Sequence, residues 1–137
     1  MPDTESVSKP ILVGATPQLF VADLQVSCDF FSGKLGFAID FTYGEPPFYA
    51  QVSRDGAQVA LRRIDRPVLS GVLAAMRADI DMLAASIAVD DVKALYLEFQ
   101  SAGATFHQAL RTEPWGARTF IVTDPDGNLL LFAGSGD

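Results

Sequence analysis

Among side chains able to do chemistry, the chain is rich in carboxylates and poor in everything else. Seventeen Asp and Glu stand against ten Lys and Arg, one histidine, His107, and one cysteine, Cys28. A divalent ion that polarises a substrate oxygen needs several donors, usually imidazole, thiolate or carboxylate, with a coordination position left open. One imidazole and no cysteine pair cannot supply that set, so a metal site would have to be assembled from carboxylates in unexpected places. No Ser, His and Asp spacing suggests an activated nucleophile, and glycine-rich phosphate loops and basic clusters do not occur. The notable carboxylates have structural readings: Asp23 and Asp91 stand immediately before amphipathic runs, where helix N-caps belong. Glu113, beside the only tryptophan, Trp115, reads as a solvated loop carboxylate, and His107 as structural or exposed. These residue types by themselves assign no catalytic group.

Any site needs a frame, and the chain spells one out. Phe120, Val122, Leu130 and Phe132 recur at every second position on either side of Asp124-Pro125-Asp126-Gly127-Asn128, which predicts a terminal hairpin with Trp115 at its entrance. Upstream, the pattern predicts a strand over 15–22, a helix over 24–35 ended by Gly36, and strands over 37–43, 49–54 and 57–63. The first strand points Leu19 and Val21 one way and Thr16, Gln18 and Phe20 the other; Val26, Phe30 and Phe31 are the expected buried stripe of the helix. Residues 64–81, broken by Pro67 and Gly71, read as a linker holding at most a short helix over 72–76. The first pattern then returns: a strand over 83–89, a helix whose Val92, Leu95, Tyr96 and Phe99 form one apolar face, and strands over 105–110, 118–123 and 129–133. The Asp-capped helix start and the Asp-Gly turn both recur about 70 residues later, which marks an internal repeat of half the chain. The expectation is a single domain, with module one over about 15–64, a linker over about 65–81 and module two over about 82–134.

Composition bounds the partners. A net charge of −7 and a pI near 4.5 argue against nucleic acid and anionic membrane surfaces, both of which reward basic patches. One cysteine excludes an internal disulfide framework and fits a cytoplasmic protein. Residues Met1 to Ser6 lack the charged and apolar regions of a secretory signal, and no apolar run approaches the roughly 20 residues of a membrane span.

Two βαβββ units in tandem resemble the vicinal oxygen chelate superfamily, which includes glyoxalase I, extradiol dioxygenases, fosfomycin-resistance enzymes and bleomycin-resistance proteins. The resemblance rests on Val21-Ala22-Asp23-Leu24 with Ser27, Phe30-Phe31 and Leu35-Gly36-Phe37, on Val89-Asp90-Asp91-Val92, and on Asp124-Pro125-Asp126-Gly127-Asn128, in that order. It implies an α+β fold in which the two modules form an open, cup-shaped mixed sheet around one cavity. It also implies where metal ligands would stand: at Thr16 on the first strand, near Ala84 before the second helix, and at Leu131 on the last strand. None of these side chains holds a metal in the usual way, so no metal and no cofactor are expected and no catalytic residue is assigned.

The branch most similar is the bleomycin-resistance type, through Ala15-Thr16-Pro17-Gln18-Leu19, Asp40-Phe41 and Pro114-Trp115-Gly116-Ala117-Arg118. The resemblance implies a homodimer whose crevices hold a small aromatic, in some cases cationic, antibiotic or metabolite. The implied ligand-binding residues are Phe41, Phe48 and Trp115 for stacking, Gln18 and Thr16 for polar contacts, and Leu131 in the cavity wall. Each aromatic stack is worth about 0.5–1.5 kcal/mol beyond area burial. Two alternatives stand beside this reading: a glyoxalase-like lyase or dioxygenase with an altered metal site, and a non-catalytic partner-binding domain with a filled cup.

Overall fold

The computed structural model describes residues 9–135, so the expectation for Met1 to Ser6 lies outside the described residues. Module one runs β1 (Gln18–Val21), α1 (Leu24–Gly33), β2 (Ala38–Tyr43), β3 (Tyr49–Arg54) and β4 (Ala57–Arg63). After α2 (Gly71–Asp79), module two runs β5 (Leu83–Ala88), α3 (Val92–Ala102), β6 (Thr105–Thr112), β7 (Arg118–Thr123) and β8 (Leu129–Gly134). The strands form two four-stranded sheets, ordered β1-β4-β3-β2 and β5-β8-β7-β6. In each, the first strand pairs in parallel with the last and the other pairings are antiparallel. The repeat read from the sequence is therefore a repeat of structure, and the mixed α+β architecture is as expected.

Both long helices start where a carboxylate can satisfy an orphan backbone donor. Asp23 accepts from the N–H of Val26 at 3.1 Å, and Asp91 from that of Ala94 at 3.1 Å. α3 ends on Gly103 at φ +81, the left-handed conformation that glycine takes without steric cost. α1 stops earlier than expected, with Lys34 at its C-cap and Gly36 in the exit turn. Its buried stripe also differs: Leu24, Ser27, Cys28 and Phe31 are buried, Phe30 is half-buried, and Val26 is 48% exposed. Helical spacing explains this, because Leu24, Cys28 and Phe31 lie on one face that Val26 cannot share. The packed face includes Ser27 and Cys28, which apolarity alone does not mark. α2 is longer than the short helix expected in the linker, yet it has no buried residue.

The core lies between each sheet and its helix. In module two it is an aromatic cluster: Phe99 of α3 meets Phe120 at 5.8 Å and Phe132 at 5.2 Å, both edge to face, and Phe120 stacks on Phe132 at 5.2 Å. Tyr96 and Phe106 close on Phe120 at 5.3 and 5.8 Å. In module one Phe31 meets Phe30 and Phe37 edge to face, each at 5.4 Å.

The β7–β8 turn is held by the buried Asp124, whose side chain accepts from the backbone N–H groups of Asp126 and Asn128 at 2.9 and 2.7 Å and from the Asn128 amide at 2.9 Å. Gly127 in this turn has φ +85, and a Cβ there would meet Leu69 of the linker at 2.7 Å. Gly127→Ala therefore carries the cost of a left-handed backbone, about 1–2 kcal/mol, and obliges the end of the Leu69 side chain to shift. Its urea midpoint is expected to fall, whereas alanine at Gly56, where among the described residues nothing lies within 4 Å of the added Cβ, is expected to change little.

Candidate functional site

Residues paired across a sheet share a face, so the strand registers define what each sheet presents opposite its helix. In module one, Gln18, Ala60, Gln51 and Phe41 form one row, and Phe20, Arg62, Tyr49 and Tyr43 the next. This face stays open: Phe20 and Phe41 are each 47% exposed and Tyr43 68%. Phe41 stacks on Tyr49 at 6.1 Å with 30° between the rings. Phe48, in the β2–β3 connection, meets Tyr43 edge to face at 5.8 Å, and the Arg62 guanidinium lies 5.3 Å from its ring centre. Thr16 closes the lower edge by donating to Gln58 at 3.3 Å.

Asp40 falls where the β2–β3 register shifts between Ile39 and Phe41. Such a bulge re-aims side chains, and here it turns the carboxylate toward β3. Ser53 donates to it at 2.8 Å and Gln51 at 3.1 Å. Two neutral donors hold an exposed carboxylate beside a stacked aromatic pair, an arrangement that suits a flat cation. Asp40 and Tyr49 were not among the ligand-binding residues expected from sequence, although strand alternation places Tyr49 on the same face as Arg62.

In module two the corresponding face carries Ser86, Leu131, Ile121 and Gln108 in one row, and Ala88, Ala133, Thr119 and Arg111 in the next. Leu131 lies on it and is half-buried. Ala84 does not join Ser86 and Ala88 there: the β5–β8 register shifts around it, and its side chain packs against the main core. Glu113 is not a solvated loop carboxylate. Its side chain is 10% exposed, accepts from Thr119 at 2.6 Å and pairs with Arg111 at 3.0 Å. The Thr119 hydrogen bond first, and then Arg111, hold its carboxyl below the usual range. Its nearness to Thr119 arises from strand pairing, which sequence spacing does not display. His107 bonds Asp81 at 2.8 Å.

Trp115 stands in the β6–β7 turn, 75% exposed, and among the described residues no aromatic contact joins it to Phe41 or Phe48. Phe41, Phe48, Gln18 and Thr16 therefore gather on module one, while Trp115 and Leu131 belong to module two.

The modules are joined asymmetrically. On one side the Asp126 carboxylate accepts from the N–H of Ala22 at 3.0 Å, and the Asn128 amide donates to the Phe20 carbonyl at 3.1 Å. On the other side the repeat sets Asp55 and Ala57 at those places, and alanine has no amide to close the second bond. A groove of about 610 Å³ lies there between the Arg54–Gly56 turn and α3. It is spanned by Arg54 paired with both carboxylate oxygens of Glu98 at 2.7 and 3.0 Å. The Arg54 hydrogen bond holds the Glu98 carboxyl below its ordinary value.

The three positions where the resemblance puts metal ligands are a hydroxyl, a methyl and an isobutyl group, and these do not fit a divalent ion. Among the described residues no three His, Cys, Asp or Glu side chains come together in a way that could hold one. Burial, with Asp29 adding to it, pushes the Cys28 thiol up, away from the reactive thiolate. Among the described residues no helix is long and apolar enough to cross a membrane.

The family model described as the Glyoxalase/Bleomycin resistance protein/Dioxygenase superfamily matches residues 13–132. Among solved structures, the bleomycin-binding protein of bleomycin-producing Streptomyces verticillus, complexed with copper(II)-bleomycin, is similar at 27% identity and TM-score 0.71, over 94% of this chain and 100% of that one. The bleomycin resistance determinant encoded on transposon Tn5 is 21% identical at TM-score 0.71, over 90% and 98%. TioX from Micromonospora sp. ML1 is 24% identical at TM-score 0.68, over 89% and 99%. The chain matches no curated protein sequence.

Proposed function

The chain belongs to the Glyoxalase/Bleomycin resistance protein/Dioxygenase superfamily, and from that premise we propose that it is a metal-independent binding protein of the bleomycin-resistance type. It sequesters a small aromatic, cationic antibiotic or metabolite and acts as a cytoplasmic homodimer. The observation that carries this reading is Asp40, an exposed carboxylate oriented by Ser53 and Gln51 beside the Phe41–Tyr49 stack. A planar cation that slides over Phe41 gains stacking and a charge-assisted contact in one pose. In a homodimer, Trp115 of one protomer is free to close over the module-one face of its partner, and its exposure within one chain supports that reading. The ligand is held without reaction, because the donors at hand orient charge and offer no nucleophile.

Calorimetry with metal-free bleomycin, together with light scattering for the dimer, tests this. Phe41→Ala, Asp40→Asn and Trp115→Ala are each expected to weaken binding about tenfold, the equivalent of about 1.4 kcal/mol, with the circular dichroism unchanged. Wild-type affinity in both Phe41→Ala and Asp40→Asn would remove the site from module one. Stoichiometric zinc, manganese or iron in the purified protein would favour the lyase or dioxygenase reading instead. One observation supports the partner-binding alternative: part of the module-two face is already covered, since Ile121 and Leu129 are 3% and 0% exposed.

A further inference from the structure

The cover on module two has an identifiable source. Ile121 and Leu129 lie on the face of their sheet opposite α3, whose Phe99 occupies the other face against Phe120 and Phe132. Both are buried, yet they stand apart from the cluster that packs under the helices. Something other than a helix of the repeat must lie on them.

Two contacts point to the linker. Leu69 sits against Gly127 in the β7–β8 turn, at the end of the sheet where Leu129 begins β8. Asp81, two residues before β5, bonds His107 of β6 at 2.8 Å, although β5 and β6 are the two outer strands of the sheet. Three strand spacings amount to about 14 Å. Two residues of chain reach only about 7 Å, so Asp81 has to lean inward across the sheet to make that bond.

We infer that residues 64–82 form a strap laid across the open face of module two, pinned at its far end by the Asp81–His107 pair, and that its release uncovers Ile121 and Leu129. The strap is weakly docked. α2 packs extensively on no other element, and its Val72, Leu73 and Met76 are 74%, 46% and 44% exposed. The pin is itself accessible, with His107 and Asp81 side chains 36% and 52% exposed. A segment with so little buried surface opens at a far smaller free-energy cost than the sheet beneath it. Where the binding reading above holds, the strap decides whether a guest meets only the module-one face or both. The arrangement of the strap does not depend on that reading.

Thiol accessibility tests the strap without any ligand. Ile121→Cys places a thiol under it, and Val122→Cys places one on the helix side of the same strand; the native Cys28 is buried and serves as internal reference. With an uncharged alkylating reagent, Ile121→Cys is expected to react slowly in the pinned chain and about tenfold faster when combined with His107→Ala or Asp81→Ala. Val122→Cys should stay slow in every background. Rapid labelling of Ile121→Cys in the pinned chain would show that nothing covers it, and equal slow labelling with and without the pin would show that the pair holds nothing. Parallel acceleration at both positions would mean that the whole module opens. Each of these three results overturns the strap, and none touches the bleomycin titration.

Discussion

Phe120→Ala is expected to destabilise the chain by about 3–5 kcal/mol, which is a large part of the roughly 5–15 kcal/mol that holds a domain folded. Phe120 is fully buried and is the ring on which Tyr96, Phe99, Phe106 and Phe132 converge, at 5.3, 5.8, 5.8 and 5.2 Å. Removing it forfeits the transfer free energy of the ring, the edge-to-face and stacked contacts, and leaves a cavity that four large neighbours cannot easily fill. Phe41→Ala, on the exposed face of module one, loses no comparable packing and should cost far less stability. Urea unfolding followed by far-ultraviolet circular dichroism checks both. A loss below about 1.5 kcal/mol for Phe120→Ala would mean that the module-two core is far more plastic than native packing densities allow. The contrast between the two variants also separates damage to the fold from damage to binding, because only Phe41→Ala should change the bleomycin titration.

Asp124→Ala is expected to cost about 2–4 kcal/mol, since it strands the part-buried N–H groups of Asp126 and Asn128 and frees the Asn128 amide. The effect reaches beyond the turn. Asp126 and Asn128 are the residues that fasten module two to Ala22 and Phe20, so a loosened turn also loosens the join between modules. Asp124→Asn, which keeps the shape and one acceptor oxygen but not the ionisable carboxyl, should be milder and should reveal a pH dependence. Burial pushes the Asp124 carboxyl up from its ordinary 3.8, against the opposing effect of its hydrogen bonds from Asn128 and Asp126. A carboxyl whose folded value is raised contributes stability that is complete below the unfolded value and is lost as pH rises through the folded one. The stability gap between wild type and Asp124→Asn should therefore be widest in acid and narrow as pH climbs from about 4 toward neutrality. A gap that widened with pH would mean that the three hydrogen bonds outweigh burial and that the carboxyl is held down instead.

Much of this protein is set by short-range pattern. Alternation at Phe120, Val122, Leu130 and Phe132, the caps at Asp23 and Asp91, and the turn at Asp124 to Asn128 each depend on residues within one element, and so the sequence displays them directly. Repetition of those signals half a chain apart predicts the tandem βαβββ modules that the structure shows. The stripe of α1 was the local exception: small Ser27 and Cys28 let the helix approach its sheet, and apolarity alone favoured the exposed Val26 instead.

The tertiary structure decided what no spacing can encode, namely which surfaces meet. Thr119 lies six residues beyond Glu113, yet only the β6–β7 pairing turns its hydroxyl onto that carboxylate, and a bulge in β2 gives Asp40 its two donors from β3. Asp81 meets His107 although 26 residues separate them, and a groove lies beside Ala57 where the repeat-related Asn128 instead bonds the other module. Local conformation follows from near neighbours along the chain, whereas the covering of a face, the fastening of two modules and the orientation of a charged group depend on atoms brought together from distant segments. The fold of this chain was legible in its sequence for the first reason, and the wiring of its candidate site was not, for the second.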